Sequence, residues 1–265
     1  MIDTSSRVYT WASFVKFEHT LFSLPLLYAG AVIAAGTFPD LRTALWILGG
    51  GTGARTAAMG LNRIIDRNID ARNLRTEVRE LPRGTMNLAE AWGIVGAGLA
   101  LYLLSCFMLS PFALSLSPVP LIVFVIYPYM KRFTSLAHFG VGTALALAPL
   151  GGFIAVTASI SGSTAVLWLA AFTLLWVAGF DIIYATLDIE FDRTEGLRSL
   201  PVWLGRHTAL GVSMFTHLLA IGCLVGLFIE DLSGGLAITG IMVTGVVLAA
   251  EHWLAERVNL AFFQL

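Results

Sequence analysis

Charge is scarce in this sequence. Only 12% of its residues are Asp, Glu, Lys or Arg, against about 25% in ordinary soluble domains. That leaves too little polar surface to cover a water-soluble globule, and the sequence excludes one. The net charge is −1, so nothing electrostatic points to nucleic acid as a partner. Cysteine is scarcer still. Cys106 and Cys223 stand alone inside apolar stretches, without the CxxC spacing of a redox or zinc site, and read as core thiols. His19, His138, His207, His217 and His252 show no metal-ligand spacing. Of these, His217 reads as structural and the others as ordinary interfacial residues.

What the chain has in abundance is apolar length. Hydrophobic residues make up 57% of it, and uncharged runs cover 21–39, 92–130, 139–179, 217–229 and 232–250. A bilayer-spanning helix needs about 20 largely apolar residues, so the longer runs hold two spans each. The first run is too long for the h-region of a signal peptide, and the spans behind it make it a first transmembrane helix. We expect spans at 14–36, 42–66, 88–108, 111–129, 137–158, 164–187, 207–229 and 233–253. Beyond Glu256 and Arg257 the tail turns apolar at Leu260–Phe263 and reads as the start of a ninth helix that the chain does not complete. The fold class is all-α, a polytopic transmembrane bundle. Tyr9, Trp11 and Trp203 fall near span ends, where aromatic rings anchor at the interface.

The basic residues fix an orientation. With the N-terminus in the cytoplasm, fourteen of the sixteen Lys and Arg fall on the cytoplasmic side. Arg42 alone falls outside, and Arg55 lies within a span. This satisfies the positive-inside rule. Two cytoplasmic loops, 66–87 and 188–206, are charge-dense, and each follows a span that carries carboxylates with it. They lie four spans apart, as in a pseudo-repeat of two four-helix halves within one domain (about 14–129 and 137–253). The glycines of the second span, Gly49, Gly50, Gly51, Gly53 and Gly60, suit close helix packing in lipid.

Asn62, Asp66 and Asp70 recur every fourth residue, one narrow stripe on a helix, with Arg63 and Arg67 beside them. Asp181, Tyr184, Asp188 and Asp192 form a matching stripe on the sixth span. Ionisable residues near a membrane normally face a cavity or a partner. Four carboxylates sharing one cavity would raise each other's pKa values unless cations sat between them. Oxygen-only ligands suit Mg²⁺, which binds through a few carboxylates and substrate phosphates. The plainer alternative pairs each Asp with a neighbouring Arg in an interfacial salt bridge. A secondary transporter is the rival from another class, but its ion-coupling carboxylates belong near the midplane, whereas these cluster at helix ends.

These residues carry a family resemblance. Asn62-Arg-Ile-Ile-Asp66-Arg67-Asn-Ile-Asp70 resembles the NRxxDRxxD motif of the UbiA family of intramembrane aromatic prenyltransferases. Asp181-Ile-Ile-Tyr184-Ala-Thr-Leu-Asp188-Ile-Glu-Phe-Asp192 is similar to that family's second motif, DxxYAxxDxxxD. The resemblance continues through Arg75-Thr76, Arg79, Leu81 and Pro82, through 127–132, and through Gly196 and 199–201. Arg after Asn62 and after Asp66 is most similar to the 4-hydroxybenzoate polyprenyltransferase branch, although Leu74 stands where that branch often has Pro.

The resemblance implies a nine-helix fold around a central cavity open to the cytoplasmic side and to lipid, in the inner membrane. It also implies Mg²⁺-dependent transfer of a prenyl group from a polyprenyl diphosphate to an aromatic acid in quinone biosynthesis. Relatives using dihydroxynaphthoate or haem remain alternatives. Asp66, Asp70, Asp188 and Asp192, with Asn62, would hold Mg²⁺ on the diphosphate. Arg63, Arg67, Lys131 and Arg193 would take the remaining phosphate charge, Arg as a fork and Lys as a point charge. Tyr184 would face the allylic cation, Asp181 would contact the acceptor or act as base, and Arg55 would hold the acceptor's carboxylate.

Overall fold

The computed structural model describes residues 7–16, 20–162 and 164–257. Every regular element among them is a helix. In chain order these are α1 Arg7–Phe14, α2 Thr20–Ala35, α3 Leu41–Asp70, α4 Leu88–Leu109, α5 Pro111–Leu116, α6 Pro118–Met130, α7 Ala137–Thr157, α8 Thr164–Ala185, α9 Ile189–Thr194, α10 Leu200–Leu204, α11 Arg206–Glu230 and α12 Gly235–Arg257. All eight expected spans correspond to helices. Six stretches among the described residues are long and apolar enough to cross a membrane, counting α5 and α6 together. The apolar tail read as a ninth helix lies outside the described residues.

The chain divides into two compact units. One takes the residues up to Tyr129 together with Ala148–Gly162; the other takes Met130–Leu147 and everything from Ser163. In the first unit α3 lies against α4, and small residues set how closely. A Cβ on Gly53 would stand 2.6 Å from both the Gly98 carbonyl oxygen and the Tyr102 nitrogen. Backbone therefore meets backbone there, as the glycine-rich stretch predicts. Asp40 caps α3 by accepting from the amides of Arg42 and Thr43. Asn87 and Glu90 form a reciprocal capping box on α4.

Two expected continuous helices are broken, for local reasons. Pro118 has no N–H to continue α5, and the Leu114 carbonyl is taken instead by the Ser117 amide at 3.2 Å and its hydroxyl at 2.8 Å. The sixth span stops at Ala185, so the second aspartate stripe is not one helix. The amides of Thr186, Leu187 and Asp188 bond only three residues back, to Ile183, Tyr184 and Ala185, tightening the last turn. Asp188 then sits at φ −106°, ψ 9° and precedes α9 without capping it.

In the second unit α8 and α11 are locked at Gly179. The Ser213 hydroxyl donates to the Gly179 carbonyl at 2.7 Å. The His217 ring fills the space a side chain at 179 would need, and its Nε2 donates to the Trp176 carbonyl at 3.0 Å. With its Nδ1 3.0 Å from His252 Nε2, His217 is structural as expected. Cys106 and Cys223 are buried free thiols.

Candidate active site

Helix α3 delivers the first motif unbroken. Asp66 and Asp70 are buried, at 3% and 5% exposure, and Asn62 beside them is half-buried. A buried carboxylate needs a partner, and Asp70 has one in Arg79, which comes from the loop after α3. The Arg79 Nη1 lies 2.8 Å from each Asp70 oxygen. The Thr76 hydroxyl donates to the Asp70 carbonyl at 3.1 Å and holds that loop to the helix end.

Two guanidinium groups on the same helix are less well served. Arg63 is buried 3.8 Å from the Glu80 carboxylate, too far for a hydrogen bond, and its Nη1 has no acceptor among the described residues. Glu80 gives its other oxygen to the Ser13 hydroxyl at 2.6 Å. Arg55 is half-buried, and its Nε is a buried donor likewise without an acceptor. Arg67, by contrast, is exposed and donates back to the Ile64 carbonyl at 2.9 Å.

The second unit gathers Asp181, Asp188, Asp192 and Lys131 around the segment from α8 to α10. Burial, then the neighbouring charge of Asp188, pushes the Asp192 carboxyl up to about 6; Lys131, the Ser199 hydroxyl and His138 pull the other way. The Lys131 carbonyl accepts the Arg198 amide at 2.7 Å, pinning the turn before α7 to the loop before α10. Tyr184 is half-buried and stacks on Phe180, ring centres 6.2 Å apart. Arg193 turns outward to Glu190 at 3.4 Å, an exposed pair of small energetic consequence.

Four residues here lie outside the candidate set: Arg79, Glu80, Ser199 and His138. Arg79 and Ser199 belong to the family pattern, which implies no role for them. His138, read as an ordinary interfacial residue, instead forms a 2.7 Å hydrogen bond with Asp181. A usable signal existed. Both residues fall within their expected spans, near one end, and an ionisable residue there needs a partner.

The donor set fits a hard cation. Among the described residues no three His, Cys, Asp or Glu side chains converge into a ready-made metal cage. Mg²⁺ does not require one, since it is held by one or two carboxylates with phosphates and waters. Asp188 and Asp192, oxygen-only and mutually repelling, are such a pair.

The UbiA prenyltransferase family model matches residues 23–261. The chain belongs to this family. A 4-hydroxybenzoate octaprenyltransferase of Shewanella piezotolerans is 28% identical over 230 residues, covering 86% of this chain and 77% of the relative. One of the same name from Sodalis glossinidius is 30% identical, covering 83% and 77%. The apo structure of a UbiA homolog from Aeropyrum pernix K1 is 36% identical with a TM-score of 0.85, covering 93% of this chain and 92% of that one. The fold is also that of a UbiA homolog from Archaeoglobus fulgidus bound to DMAPP and Mg²⁺, at 18% identity, TM-score 0.74 and coverage of 94% and 88%. This UbiA-family chain is thus a prenyltransferase and an integral membrane protein.

Proposed function

We propose that this UbiA-family enzyme transfers a polyprenyl group from its diphosphate to an aromatic acid such as 4-hydroxybenzoate, with Mg²⁺. The observation that carries the reading lies on α3. Among the described residues, Arg55 Nε and Arg63 Nη1 are buried donors without acceptors, on the helix that also buries Asp66 and Asp70. One element thus offers the Arg63 N–H to a diphosphate, carboxylates to the cation beside it, and the Arg55 N–H to a second anion deeper along the helix. The names of the Shewanella and Sodalis relatives support 4-hydroxybenzoate as acceptor.

Asp66, Asp70, Asp188 and Asp192, with Asn62, would hold the metal, which would supply Lewis acidity for departure of the diphosphate. Arg63, Arg67 and Lys131 take up phosphate charge, and Arg193 joins them by leaving its weak exposed pair with Glu190. The ring face of Tyr184 stabilises the allylic cation. Asp181 takes the proton that the acceptor loses, and Arg55 binds the acceptor's carboxylate. The prenyl tail extends into the bilayer, and the charged ends of α3 and α8 lie on the cytoplasmic side of the cell membrane.

The test is release of diphosphate from a prenyl diphosphate by purified enzyme, with 4-hydroxybenzoate, dihydroxynaphthoate, haem or no acceptor. Release that needs both Mg²⁺ and 4-hydroxybenzoate is the expected result. Transfer only to another acceptor would reassign the substrate, and no release with any of them would sink the reading.

A further inference from the structure

His138, the second residue of α7, is 3% exposed, and both its ring nitrogens are committed. Nε2 accepts the Leu200 backbone N–H at 3.2 Å. A backbone amide can only donate, so Nε2 carries no proton and the proton of a neutral ring sits on Nδ1. Nδ1 lies 2.7 Å from Asp181 Oδ2. The histidine is therefore the donor, and the first turn of α10 fixes its tautomer. Asp181 is held at one oxygen while its side chain keeps 34% exposure. Leu200 follows Ser199, whose hydroxyl reaches Asp192. One imidazole thus ties the start of α7 to Asp181 on α8 and to the segment that touches Asp192.

We infer that His138 is a positioning residue for proton removal: it holds Asp181 with Oδ1 left to take the proton that the acceptor ring loses. This rests on the prenyl-transfer reading above. In that reaction the C1–O bond of the prenyl diphosphate breaks, and its electron pair leaves with the diphosphate. A ring carbon ortho to the acceptor hydroxyl bonds to C1, and the hydrogen on that carbon departs as a proton to Asp181. His138 neither gains nor loses a proton. It removes the rotational freedom of the carboxylate, and misplacement by about 1 Å can cost roughly a hundredfold in rate.

Two isosteres separate this role from a clamp between helices. His138→Asn places an amide N–H where Nδ1–H stood and keeps the bond to Asp181. His138→Gln places its amide oxygen where Nε2 stood and keeps the bond to Leu200, but cannot serve Asp181. The full-length enzyme is assayed with saturating Mg²⁺, a short prenyl diphosphate and 4-hydroxybenzoate carrying hydrogen or deuterium ortho to the hydroxyl. His138→Gln should lose roughly ten- to a hundredfold in kcat, leave the KM for prenyl diphosphate unchanged and show a primary isotope effect absent from wild type. His138→Asn should stay near wild type on all three. Asn performing no better than Gln, or losses without an isotope effect, would overturn the inference. Asp181→Asn must show the same isotope effect, and its absence overturns the inference whether or not the histidine variants fold. Failure of the wild-type chain to prenylate 4-hydroxybenzoate would instead remove the functional reading itself.

Discussion

A single nitrogen of Arg79, Nη1, lies 2.8 Å from both carboxylate oxygens of Asp70. Asp70 is a proposed metal ligand, so without metal the loop after α3 supplies the positive charge that Mg²⁺ would bring. Removing one partner of a buried pair costs about 3–5 kcal/mol, but Arg79 keeps 28% exposure, and solvent screening lowers the expected loss to about 1–3 kcal/mol. Arg79→Gln should therefore melt earlier than wild type in detergent. Mg²⁺ with inorganic diphosphate should raise its melting temperature by more than it raises that of wild type. An equal rise in both proteins would mean that the cation does not reach Asp70.

Asp66→Asn and Asp192→Asn should each reduce turnover by at least about a hundredfold while leaving the helical spectrum intact. Each replacement keeps the shape but removes a charged oxygen ligand, and a hard cation binds a carboxylamide far less well. Near-normal turnover of either variant at saturating Mg²⁺ would defeat the model in which both motifs hold metal.

The Asp192 carboxyl carries its own pH test. Its folded value of about 6 lies above the ordinary 3.8, so the folded metal-free protein holds this proton more tightly than the unfolded chain. The stabilisation is fully present below the unfolded value and is lost as pH rises through about 6. Mg²⁺ requires the deprotonated form. The Mg²⁺-induced rise in melting temperature should then be small below about pH 5 and complete above about pH 7. Asp192→Asn should flatten this dependence, and an unchanged profile would show that Asp192 does not control it.

Helix contact in the first unit is testable at two glycines. Alanine at Gly53 would press its Cβ onto backbone atoms of Gly98 and Tyr102 at 2.6 Å, and backbone cannot swing aside. The expected cost is about 1–3 kcal/mol. Gly96 on α4 faces open space, so Gly96→Ala should be neutral or slightly stabilising through helix propensity. Equal melting temperatures for the two variants would refute the close approach of α3 and α4.

Hydropathy was enough to locate every long helix, because an apolar run of about twenty residues has few other fates. It could not locate the breaks. Ser117 and Thr186 end their helices through side-chain and three-residue backbone bonds that leave the average hydropathy untouched. The short helices α1, α9 and α10 lie in charged or mixed stretches without a period long enough to read. The aspartates were legible because carboxylates are costly near lipid. Their partners were harder to find: Arg79 lies nine residues from Asp70, and His138 lies 43 from Asp181. Only the fold brings such pairs together.

Arg55 offers the last test, and the one that bears on acceptor choice. It lies seven residues before Asn62, so it falls along the same side of α3 about 10 Å deeper, at 1.5 Å per residue. That interval leaves room for an aromatic ring between its guanidinium and the diphosphate. Its Nε is a buried donor with no acceptor among the described residues, and a guanidinium within a span needs an anion or carbonyls to offset its burial. The planar carboxylate of an aromatic acid matches its fork. Loss of a charged hydrogen-bonding pair of this kind costs about 1.5–3 kcal/mol, or roughly a ten- to hundredfold rise in the acceptor's KM for Arg55→Ala. The KM for prenyl diphosphate should hardly move. Lys at this position should restore the charge but only part of the affinity, because an ammonium cannot make the paired bonds. Equal changes in both KM values, or in neither, would assign Arg55 to the support of α3.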